Sequence, residues 1–175
     1  MDLLHTYPNF SNDITKAFHG LIDEFHLELL NPSEGLYLLK GDNCKLRFTF
    51  DRGDISCQIK QSGDMDDGAG HVVYLVYRHL FPYEANSENK DRVYDFLFQL
   101  QYDAQIVEKY LKPVMNGDFS WLPSFLAEED YENKLIWYVI SNLHNDNPIQ
   151  RKFWACDVSW KIDLESYLKE RNIKL

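Results

Sequence analysis

Residues 48–59, FTFDRGDISCQI, leave the backbone little choice. Upstream of Arg52-Gly53, Leu46, Phe48 and Phe50 alternate with Lys45, Arg47 and Thr49. Downstream, Ile55, Cys57 and Ile59 alternate with Ser56, Gln58 and Lys60. Apolar residues at a period of two line one face of a pleated strand. With Arg52 and Gly53 as a two-residue turn, Phe50 faces Ile55, Phe48 faces Cys57 and Leu46 faces Ile59. Every apolar side chain of both strands then lands on one side. A slip of one residue would turn a whole apolar set toward water. Gly53 supplies the positive φ that such turns demand. Asp51 and Asp54 would oppose each other as like charges, which favours opening of the last pair into an effectively four-residue loop. The tripeptide Arg52-Gly53-Asp54 is also an adhesion signal, but the turn accounts for it, and the adhesion reading needs an extracellular protein.

The same period begins earlier. Leu36 and Leu38 alternate with Tyr37 and Leu39, and Gly41-Asp42-Asn43 turns the chain into the next strand. An antiparallel meander of at least three strands follows. Before it, Ser11-Asn12-Asp13 offers a helix cap, and Ile14, Phe18, Leu21 and Phe25 line one helical face. Residues 26–30 read as continued helix or new strand, and the cluster 31–35, NPSEG, ends either. Residues 61–70, QSGDMDDGAG, read as an acidic loop. Residues 71–81 read as a strand, or as a strand running into a short helix before Pro82.

Val93, Leu97, Leu100, Ala104, Val107 and Leu111 give the clearest helical spacing in the chain, closed by Lys112-Pro113. Phe119, Trp121, Leu122 and Phe125 suggest an irregular aromatic segment. Residues 127–143 follow as a helix whose opening Glu128, Glu129 and Asp130 suit the positive end of its dipole. Residues 145–148, NDNP, stop it, residues 153–158 alternate as a last strand would, and a helix over 163–171 closes the chain. The fold expected is α+β: one domain spanning residues 1–175, an antiparallel meander with one face against helices, and a helical C-terminal half.

Composition narrows the function. Of 175 residues, 45% are apolar and 15% aromatic, enough for a sizeable core, and the net charge is −10. That charge argues against nucleic-acid phosphates and anionic lipid, which need clustered Lys and Arg, and favours steering toward a basic partner. The opening MDLLHTYPNF lacks a basic stretch followed by an apolar core, so no signal peptide is expected. No apolar run is long enough to span a bilayer. Cys44, Cys57 and Cys156 form no framework and read as reduced thiols of a cytoplasmic protein.

No local motif for catalysis, metal or cofactor emerges. The six histidines form no HxxxH or HExxH pair, and no CxxC, GxSxG, GxxxxGK[ST] or GxGxxG occurs. His19, His26 and His79 fall within ordered elements and read as structural. Asp64-Met65-Asp66-Asp67-Gly68 starts like a calcium loop, but Gly68, Ala69 and Leu75 fall where a ligand, glycine and glutamate belong. Cys57 should point inward as a small hydrophobe, and Asp157 beside Cys156 disfavours its thiolate. Carboxylates are abundant, so an enzyme with a site assembled from distant residues remains an alternative. The four tryptophans, Trp121, Trp137, Trp154 and Trp160, either fill the core or anchor an interface.

An opening amphipathic helix ending near LIDEF, a meander carrying LRFTFDRGDISCQI, and helices behind it resemble small bacterial immunity proteins that neutralise polymorphic or contact-delivered toxins. The resemblance implies an acidic, non-enzymatic cytoplasmic protein, without cofactor or metal, that binds and occludes a basic toxin domain. Its acidic candidates are Asp64, Asp66 and Asp67 in the loop and Glu128, Glu129, Asp130 and Glu132 near a helix start. The rival readings are an enzyme and an adaptor or structural subunit; the adaptor would show an exposed apolar patch around residues such as Trp121 or Phe125.

Overall fold

Strand-period alternation produces an antiparallel meander. In the computed structural model, which describes residues 9–51, 54–63, 70–87 and 96–175, the strands are β1 (Glu28–Ser33), β2 (Leu36–Lys40), β3 (Cys44–Asp51), β4 (Asp54–Gln61) and β5 (His71–Val72). Among the described residues they form a sheet in chain order, with antiparallel pairing throughout. Arg52 and Gly53 lie outside the described residues. The register on either side of them matches the expectation: Phe50 opposes Ile55, Phe48 opposes Cys57 and Leu46 opposes Ile59. The ladder continues to Asp51 opposite Asp54, so the last pair is closed rather than open.

The chain divides into two compact units, Met1–Trp121 and Leu122–Leu175. In the first, α1 (Phe10–Ala17), α2 (His19–Phe25), α3 (Val73–Leu80), α4 (Pro82–Ser87), α5 (Phe96–Tyr110) and α6 (Lys112–Met115) accompany the sheet. Leu39, Leu46, Phe48, Cys57 and Ile59 are buried together with Ile14, Phe18, Val76, Tyr77, Leu100 and Val107 from the helices and their junctions. The Phe18 ring meets Phe48 edge-on at 5.0 Å. Phe50, half-buried at the hairpin end, packs against Phe10 at 5.7 Å and Phe96 at 5.2 Å.

Several boundaries differ from the sequence reading. The opening helix is broken at Phe18 (φ −103°, ψ 13°), although Phe18 N–H still donates to Ile14 O and Ile22 N–H to Phe18 O, which keeps the apolar stripe continuous. His26 takes a left-handed conformation (φ 50°) that ends α2, so the chain emerges as β1. The turn cluster at 31–35 is partly strand: β1 is an edge, where Pro32 needs no ladder donor, and a bulge between Leu30 and Ser33 absorbs the irregularity. Residues 71–81 are two strand residues running into α3, the second of the two sequence alternatives.

The second unit contains α7 (Leu122–Asn142), α8 (Pro148–Trp154) and α9 (Trp160–Glu170). Its core joins Leu135, Val139 and Leu143 of α7 and its end to Ile149, Leu164 and Leu168. Residues 153–158 are no strand. Asn147 caps α8 by accepting from Ile149 N–H at 2.9 Å, with Pro148 in the first turn. Cys156 (φ 54°) then ends α8 with Cys156 N–H on Phe153 O and Asp157 N–H on Lys152 O, the paired bonds of a left-handed helix stop. A side-chain alternation within a cap had imitated a strand.

Cys44 and Cys57 are buried free thiols, whereas Cys156 is exposed. Burial pushes the Cys44 thiol up to about 12. Burial, joined by the Asp103 carboxylate, pushes Cys57 up as well. A disulfide reagent is therefore expected to modify one thiol in the folded chain and all three after denaturation. These raised values favour the folded state below the ordinary thiol value of 9.0, and stability should fall as pH rises from there toward about 12. Rapid native labelling of Cys44 or Cys57 would contradict this placement.

Candidate functional site

Of the acidic candidates, those within the described residues lie on one helix. Asp64, Asp66 and Asp67 lie outside the described residues. Glu128, Glu129, Asp130 and Glu132 all lie on α7, but that helix begins at Leu122, so they follow its first turn and gain little from the dipole. The start is early because the aromatic segment ends in a tight turn: Ser120 N–H donates to the Asp118 carboxylate and the Trp121 indole to Asp118 O. Asp130 is exposed and pairs with Lys134 at 2.8 Å. Half-buried Glu132 instead turns to α9, with Lys161 at 3.7 Å. Glu128 is exposed and Glu129 half-buried.

A different feature emerges on the same helix. Leu126, Trp137 and Ile140 are 45%, 67% and 43% exposed. With Asp130 they follow one another at helical spacing, on the side of α7 opposite Leu135, Val139 and Leu143. A tryptophan two-thirds exposed at mid-helix leaves a large apolar ring in water. Further along the same unit, Trp154 and Val158 are also largely exposed. By contrast Trp121 and Phe125, the residues expected in an adaptor's patch, are buried.

The sheet face away from the core carries the opposite charge. Register aligns Glu28, Lys40, Lys45 and Lys60 in one row across β1 to β4. The next row runs Leu30, Leu38, Arg47 and Gln58. A groove on this face is walled by Pro32, Leu36 and Leu38 and by Lys45, Arg47 and Lys60. Gln58 orients the guanidinium: its Oε1 accepts from Arg47 Nη1 at 3.2 Å and from Gly70 N–H at 3.1 Å. Among the described residues, Arg47 Nε is buried and finds no acceptor. An orphan donor of this kind costs about 1–3 kcal/mol. Gly70, at the groove's end, has no room for a side chain, because a Cβ there would sit 2.7 Å from Ile59 O.

Among the described residues no group of three or more His, Cys, Asp or Glu is placed to hold a metal ion, and no helix is long and apolar enough to cross a membrane. His19 and His26 are both exposed, and His19 lies 3.5 Å from Asp23. Both surfaces had sequence signals. The hairpin register that pairs Leu46 with Ile59 also pairs Lys45 with Lys60. The α7 stripe was hidden by placing the helix start after Leu126. No protein-family model, curated protein or solved structure matches this chain.

Proposed function

We propose that this chain is a non-enzymatic protein-binding module, an immunity protein that occludes a basic bacterial toxin domain in the cytoplasm. The observation that carries the reading is Trp137, 67% exposed and aligned with Leu126, Asp130 and Ile140 on one face of α7. Tryptophan is enriched among interface hot spots, and the resemblance to immunity proteins implies a basic partner. The net charge of −10 adds long-range steering toward such a partner, which matters when the target is lethal.

The test is co-expression with the product of the gene adjacent to its own. Wild-type chain should restore growth to cells making that product, and Trp137→Ala should not, because truncating a hot spot costs about 2 kcal/mol or more of binding. Growth restored equally by both, or no protection by either, would reject the reading. A second reading, a subunit of a larger assembly, is favoured by the exposure of Trp154 and Val158. It is distinguished by a Trp154→Ala variant that loses its partner while protection by Trp137 is irrelevant.

A further inference from the structure

We draw no further inference here: the strongest candidate, the apolar surface patch that Trp154, Val158 and Ile162 leave exposed about the junction of α8 and α9, carries none because nothing in the structure shows what covers it.

Discussion

Phe48→Ala is expected to lower the unfolding free energy by about 3–5 kcal/mol, the largest effect of any single truncation in the sheet. Phe48 is fully buried at the centre of β3, opposite Cys57, and its ring meets Phe18 from the helical layer. Truncation removes the apolar burial, the edge-on contact and the packing of the cavity wall together. Its neighbour Thr49 points to the other face and is only half-buried. Thr49→Ala should therefore stay within about 0.5 kcal/mol of wild type, the usual range for surface changes. Urea unfolding of both variants checks the pair. Equal costs would mean that the two faces of β3 are not what the register makes them.

Leu135→Ala and Trp137→Ala make the corresponding pair in the second unit. Leu135 is fully buried among Val139, Leu143, Leu164 and Leu168, whereas Trp137, two positions on, is 67% exposed. Leu135→Ala should cost about 2–5 kcal/mol of stability. Trp137→Ala should leave stability within about 0.5 kcal/mol while weakening partner binding. A residue that fills a core loses stability when cut back; one that waits for a partner loses binding instead. Thermal unfolding beside a binding titration separates the two.

The strands were legible because each required choice agreed with its neighbours. The apolar period, the turn expected at Arg52-Gly53 and the burial of one face admit a single register, and the described strands on either side take it. The boundaries that differ have local causes that periodicity does not encode. Pro32 is accommodated at an edge, His26 and Cys156 stop helices in left-handed conformations, and Asp118 builds the turn that starts α7 early. The site was less legible still. A run of carboxylates is conspicuous in a sequence, but α7 turns Asp130 outward and Glu132 toward Lys161. Which tryptophans are exposed depends on where a helix begins, and Trp121 and Trp137 fall on opposite sides of that distinction.

Oxidative footprinting of the tryptophans with and without the product of the adjacent gene tests the binding account most directly. The account predicts that Trp137 is modified readily in the free chain and strongly protected in a stoichiometric complex, with buried Trp121 protected in both. Trp137 remaining equally reactive in a formed complex would contradict it.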